Sequence, residues 1–329
     1  MSSKRILVTG AAGFVGANLL ARLRTSGFRA VGIDSFSDYY STNMKVSRVA
    51  ELGLKDLVSN LDITDSKSLE AFISNFRPTH IVHLAAQGGV RASRTNPEPY
   101  ISSNQLGFLN VLRASENHEV QKLIYASSSS VYGDQESGPF AENTKLKSPK
   151  SLYALSKMSN EIIAQTYPTL DLQILGLRFF TVYGPWGRPD MLIFRVLAAS
   201  LLGKKHDLTA SLSVQRDFTY IDDVTMVIEE ALKFQSEDKL PPILNISGGN
   251  PKSISDFFEI CEDLGIGIES HLLPSDAYDV TLTHGSTDLL KTLGFTIPQT
   301  SFSLGVKSTY NWLSQIPIKE IETWYDFNT

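Results

Sequence analysis

Cysteine is almost absent from the chain: among 329 residues, Cys261 is the single thiol. No disulfide can close within the chain, and no cysteine-based zinc site can form. Histidine is sparse as well, and its six copies never fall in an HxxxH or HExxH spacing, which argues against a metal centre. No window approaches eighteen consecutive apolar residues, so no segment is expected to span a membrane. The opening "MSSKRILVTG" lacks the apolar core of a signal peptide. Positive charge is not in excess. With a net charge of −5 there is no global basic field for nucleic acid or an anionic membrane, although a few local arginines suffice for a small anion. Asn245-Ile246-Ser247 has the form of a glycosylation sequon, but a cytosolic chain never meets that machinery. The expectation is a soluble cytoplasmic protein.

Apolar residues, by contrast, are plentiful at 42%, enough for a large buried core. They fall in short runs at 5–10, 30–34, 57–63, 80–86, 122–128 and 172–180, rich in β-branched residues and bounded by Gly, Asp, Ser or Thr. Between them lie helical patterns at 14–25, 66–76, 102–117 and 151–166. Repeated strand-then-helix order predicts an α/β fold, a Rossmann-type doubly wound parallel sheet covered on both faces. After about residue 180 the rhythm changes. "YGPWGRPD" (183–190) reads as a loop, and helices at 191–203, 222–235 and 253–264 mix with short strands near 243–246 and 268–273. The division expected is a dinucleotide-binding domain over 1–180 and a smaller C-terminal substrate-binding α/β lobe over 181–329, partly woven back onto the first.

"VTGAAGFVGANLL" places Gly10, Gly13 and Gly16 between the first strand and the first helix. In that context the glycines permit a tight turn, close approach of backbone N–H groups to a pyrophosphate, and close helix–sheet packing. The helix N-terminus adds a partial positive charge for phosphate. Asp34 ends the next strand, where a carboxylate can bind a ribose diol and repel a 2′-phosphate, which favours NAD over NADP; a strand-end turn or helix cap is the plainer role for it. Asp62 and Ile63 are placed to meet the adenine, though Asp at a strand end is also ordinary turn chemistry. Leu84, Ala85 and Ala86, in "LAAQGG", would border the phosphates and ribose. Phe14, Val15 and Phe180 complete the candidate cofactor contacts.

Four serines, 127–130, end the strand at 122–128. Tyr153 and Lys157 follow, four apart and so on one face of a helix. A nearby ammonium and the positive nicotinamide of NAD⁺ would favour the phenolate and make Tyr153 a base near neutral pH. A YxxxK pair alone is a weak signal; after a glycine loop in this order it is a strong one.

The phrases "HLAAQGGVRAS" (83–93), "YASSSSVYG" (125–133), "SLYALSKMSNE" (151–161), "LRFFTVYGPWGRPDM" (177–191) and "RDFTYIDDV" (216–224) resemble the extended short-chain dehydrogenase/reductase family of nucleotide-sugar enzymes, and most narrowly the UDP-glucuronate 4-epimerases. The resemblance implies NAD as cofactor and a catalytic set of Tyr153, Lys157 and Ser128, with Lys157 also on the nicotinamide ribose. It implies oxidation at C4 of a UDP-sugar, rotation of the 4-keto sugar, and reduction on its other face. Related dehydratases carry an Asp-Glu pair where Ser129 and Ser130 stand, and decarboxylases carry Glu at the position of Ser130, so that chemistry is not expected here.

A glucuronate substrate brings a hazard, since its 4-keto form is a β-keto acid that can lose CO₂. Ser129, Ser130, Thr181 and Arg188 are the groups expected to hold its carboxylate out of alignment. Arg216 is the candidate for the diphosphate, with Arg91 and Arg195 as further substrate contacts. Arg178, within a strand, reads as structural. The segment 276–295 departs from the family's usual "PGDV" phrase: Asp279 is retained, but Tyr278 replaces a glycine and His284-Gly285 stands near the usual Ala-Asp. Epimerisation of a neutral UDP-hexose and decarboxylation of UDP-glucuronate are the alternative activities, and a non-catalytic dinucleotide sensor the alternative class. The resemblance also implies a homodimer built partly from 102–117 and 151–166.

Overall fold

The computed structural model describes residues 4–168, 171–234, 241–274 and 280–327. One parallel sheet organises it: β1 (Arg5–Thr9), β2 (Arg29–Asp34), β3 (Val58–Asn60), β4 (His80–His83), β5 (Lys122–Ser128), β6 (Gln173–Phe179) and β7 (Ile243–Ile246). Their order across the seven-stranded sheet is β7-β6-β5-β4-β1-β2-β3. This is the Rossmann-type doubly wound arrangement, in which the winding reverses between β1 and β4. Val8 lies opposite both Gly32 and Val82 at that centre.

Alternation along β1 explains the two layers. Ile6 and Val8 face one side, against Leu19, Leu20 and Leu23 of α1 (Phe14–Thr25). Leu7 faces the other, with Ile73 of α3 (Ser66–Phe76) and Phe108 and Val111 of α4 (Gly107–Asn117). Both faces are covered, so the strands read as unbroken apolar runs. α5 (Leu152–Thr166) completes that second layer. The chain beyond residue 180 returns to the sheet: α7 (Ile221–Lys233) packs Val224, Val227 and Ile228 into the α1 layer, and β7 pairs with β6. A second core gathers Phe194 and Leu197 of α6 (Leu192–Leu202), Phe257 of α8 (Ile254–Asp263), Val306 of α9 (Phe302–Leu313) and Trp324 of α10 (Ile318–Asp326).

Three elements differ from the sequence expectation. The strand expected over 57–63 is only Val58–Asn60, because Asp62 turns the chain by accepting from the Thr64 amide and hydroxyl. The helix expected over 102–117 is α-helical only from Gly107; Ser102–Leu106 is wound as a π-helix. There the Asn104 side chain accepts from the Gln87 amide and donates to the Gln87 carbonyl and to Ser156 Oγ, which turns it inward. The helix α2 (Thr42–Glu51) has no clear apolar stripe. It is held by polar anchors instead: Arg48, fully buried, donates to the Ala12 carbonyl, Tyr40 Oη and the Trp186 carbonyl.

Among the described residues no helix is long and apolar enough to cross a membrane, and no group of three or more metal-ligating side chains converges.

Candidate active site

A cavity of about 500 Å³ runs along the carboxyl ends of the strands, across the point where the winding reverses. Its size is ordinary for a small-molecule site, and its position is where open α/β sheets bind ligands. Gly10, Gly13, Phe14, Val15 and Gly16 form one wall. Gly16 has no alternative: a Cβ there would lie 2.1 Å from the Gly10 carbonyl oxygen, so the helix could not sit this close to the turn. Gly13 is the N-cap of α1 and supplies no side-chain cap, which leaves first-turn N–H groups for an anion. Asp34 lines the cavity while its two oxygens accept from the Ala12 amide (3.0 Å) and the Phe36 amide (2.7 Å). Each oxygen keeps a second lone pair for a ribose hydroxyl. Asp62, Ile63, Leu84, Ala85, Ala86 and Phe180 also line the cavity. A glycine turn, an uncapped helix start and a strand-end carboxylate in one cleft fit a dinucleotide.

The reactive groups are set by α5 and β5. Ser151 caps α5 by accepting from the Ala154 amide at 3.1 Å, which fixes Tyr153 in the first turn. Tyr153, Lys157 and Glu161 then follow at four-residue spacing on the face toward the sheet. Lys157 Nζ donates to the Ala126 carbonyl on β5 at 2.8 Å and lies 5.9 Å from the Tyr153 ring centre. Glu161 accepts from Ser127 Oγ and forms a two-pronged pair with Arg178 of β6. Ser128, the last residue of β5, lines the cavity with Tyr153, and its hydroxyl favours the phenolate. The amide and hydroxyl of Ser130 both donate to Ser128 Oγ, at 3.2 and 2.9 Å, and so leave the Ser128 proton for the tyrosine side.

Electrostatics at Tyr153 differ from the expectation. Burial raises the phenol above its ordinary value; the Ser128 hydroxyl and the charge of Arg188 oppose that rise without cancelling it. Burial also pulls Lys157 down to about 8, so its ammonium is present at neutral pH. The protein's own groups thus moderate the cost of a phenolate, and further positive charge in the cleft is needed to favour it.

The predicted substrate residues separate into groups. Ser128, Ser129, Ser130, Thr181, Arg188 and Arg216 all line the cavity. Arg188 is gripped by Asp190 through two nitrogens. Burial disfavours its charge, but Asp190 outweighs this and holds the guanidinium above its ordinary value. Arg195 does not line the cavity. It donates to the Tyr325 carbonyl at 2.9 Å and lies 4.0 Å over the Tyr325 ring, so the structure sets it against the second core and apart from the other predicted substrate residues. Arg91 is likewise no part of the cavity wall; it is exposed at the start of a single helical turn over Ala92–Thr95. Asp279 lies outside the described residues.

Residues 6–247 match the model of the NAD dependent epimerase/dehydratase family. The chain belongs to that family. Among its relatives, UDP-glucuronate 4-epimerase 4 of Arabidopsis thaliana is 38% identical over 327 residues, spanning 93% of this chain and 74% of that protein. Protein CapI of Staphylococcus aureus is 37% identical over 94% of this chain and 98% of its own length. Among solved structures, UDP-glucuronic acid 4-epimerase from Bacillus cereus in complex with UDP-glucuronic acid and NAD superposes with a TM-score of 0.86, at 31% identity, covering 94% of this chain and 99% of that one.

This epimerase/dehydratase chain also has cavity residues that the sequence did not single out: Tyr39, Lys45, Met191 and Thr283. Tyr39 donates to Asp190 at 2.9 Å and lies under the Arg188 guanidinium, 5.7 Å from ring centre to Cζ. Lys45 donates to the Ser37 carbonyl and hydroxyl beside the Asp34 turn. The one signal for this group was the acid two residues after Arg188 in "GRPD", a spacing that lets a loop pair its own charges.

Proposed function

We propose that Tyr153, Ser128 and Lys157 are the proton-handling group of an NAD-dependent UDP-sugar 4-epimerase that interconverts UDP-glucuronate and UDP-galacturonate. The observation that carries this reading is that Tyr153, Ser128 and Lys157 line one cleft with the glycine turn, with the Lys157 ammonium 5.9 Å from the Tyr153 ring centre. Gly10, Gly13, Val15, Asp34, Asp62 and Lys157 are the residues to hold the cofactor. Bound there, NAD supplies the acceptor, and then the donor, of the sugar's C4 hydride. Tyr153, as phenolate, takes the proton of the 4-hydroxyl while Ser128 donates a hydrogen bond to the same oxygen, and the C–O single bond becomes a carbonyl. Lys157 holds positive charge beside the phenol and fixes α5 on β5. After the 4-keto sugar turns, Tyr153 returns the proton to the oxygen as the C4–H bond re-forms on the opposite face.

Ser129, Ser130, Thr181 and Arg188 form the polar wall for a sugar carboxylate, which they keep from aligning with the C4 carbonyl. Ser130 has a double part, because its hydroxyl is turned to Ser128. Arg216 is the partner for the diphosphate. Incubation of the purified protein with UDP-glucuronate and no added cofactor is expected to give UDP-galacturonate. A UDP-pentose would show that the carboxylate is not restrained. Turnover of UDP-glucose alone would move the assignment to neutral sugars.

A homodimer and a cytoplasmic location complete the reading. Leu106 before α4, and Leu155 and Ile162 on α5, are exposed apolar residues on the segments expected to meet a second copy. Sedimentation at twice the chain mass is the expected result; a monomer at micromolar concentration would contradict it.

A further inference from the structure

Asp217 follows the diphosphate candidate Arg216 and is completely shielded from solvent. Its carboxylate accepts from three main-chain amides on two loops: Gly248 (2.8 Å), Gly249 (3.2 Å) and Gly285 (2.9 Å). Its own amide donates to Thr283 Oγ1 at 3.0 Å, and its carbonyl accepts from the Thr181 amide at 2.9 Å. Thr181, Arg216 and Thr283 all line the cavity; Asp217 does not. One residue therefore ties three segments together behind the cavity: the strand pair of 181–183 with 218–220, the turn after β7, and the segment 280–286, the first and last of which line it.

A buried carboxylate is expensive unless its lone pairs are filled, and here amide donors fill them. The approach is close. A Cβ at Gly248 would lie 2.7 Å from the Phe218 carbonyl oxygen, so the turn after β7 could not reach Asp217 with a larger residue. In the clasped segment, His284 and Gly285 are docked by the Phe140 amide on the His284 carbonyl (2.7 Å) and by the Asp217 bond to the Gly285 amide. Tyr153, Lys157 and Ser128 have no bond to this clasp; they hang on β5 and α5.

We propose that Asp217 is a positioning residue for the nucleotide end of the substrate, acting through Arg216, Thr181 and Thr283 by clamping segment 280–286 against the strand that carries Thr181, with the turn at 248–249 bracing it from behind. This rests on the UDP-sugar reading of the cleft. Asp217→Asn keeps the shape but sets an NH₂ against amide donors. It is expected to weaken binding of UDP, measured by titration calorimetry on the purified protein, by about tenfold. The KM for UDP-glucuronate rises in the same proportion, while kcat at saturation stays within about threefold of wild type. That split separates positioning from a general loss of fold, which would lower kcat through the active fraction and leave KM unchanged.

A folded Asp217→Asn with UDP affinity and KM within about twofold of wild type overturns the inference, as does a fall in kcat with KM unchanged. Should that variant not fold, Ser247→Ala, which removes the hydroxyl on the Gly285 carbonyl, puts the same question, and unchanged UDP affinity in it is equally fatal. Failure of the wild type to bind UDP sinks the reading of the cleft and this inference with it. A wild type that binds UDP, with both variants equal to it, sinks the inference alone.

Discussion

Tyr153→Phe is expected to fold normally and to lose about 10³-fold in kcat. The ring is retained, and with it the edge-to-face contact on Tyr100 at 6.3 Å between centroids, so stability changes little. The lost atom is the oxygen that Ser128 approaches and that must carry a proton out of and back to the sugar hydroxyl. The pH profile separates this from a loss of packing. Burial raises the phenol, so in the wild type the reactive phenolate is scarce at low pH and kcat climbs as pH rises. Phenylalanine has no proton to lose, so the residual rate should be flat across that limb. Stopped assays of UDP-glucuronate conversion from pH 6 to 9 on both proteins give the comparison. A folded variant that works at full speed ends the acid–base assignment.

The groups nearest this chemistry were the most legible in the sequence, and the reason is local. The glycine turn, the serine run and the Tyr153/Lys157 spacing each place their atoms through one strand end or one helix turn, so a short phrase carries the geometry. The less legible residues depend on distant partners. Arg195 looks like a ligand-binding arginine until Tyr325, 130 residues later, takes its guanidinium. Tyr39 becomes part of the cleft only because Asp190 comes to meet it from 151 residues away. Asp217 reads as one more acid in "RDFTYIDD", and its importance comes from amides of three glycines, two in the turn after β7 and one in the segment 280–286. The fold follows the same division. Strand-and-helix alternation predicts the sheet, while α2 escaped notice because buried Lys45 and Arg48 anchor it through hydrogen bonds that no hydrophobic period reveals.

Arg178→Met is expected to lower stability by roughly 3–5 kcal/mol, the range for removing one partner of a buried ion pair. Both side chains are nearly solvent-free, at 5% exposure for Arg178 and 4% for Glu161. Burial alone would weaken the guanidinium's charge; the two-pronged bond to Glu161 outweighs it and holds Arg178 above its ordinary value. With arginine gone, Glu161 keeps Ser127 as a donor but has no counter-charge. The pair joins β6 to α5 one turn beyond Lys157, so the variant should also slow turnover by loosening the strand end that carries Ser128. Replacing both partners, Glu161→Leu with Arg178→Met, removes the stranded charge and should recover much of the lost stability without restoring turnover. Urea unfolding of the two variants, set beside kcat at a temperature where both stay folded, decides it. If the single variant melts like wild type, the pair is not the strut that holds the catalytic helix to the sheet.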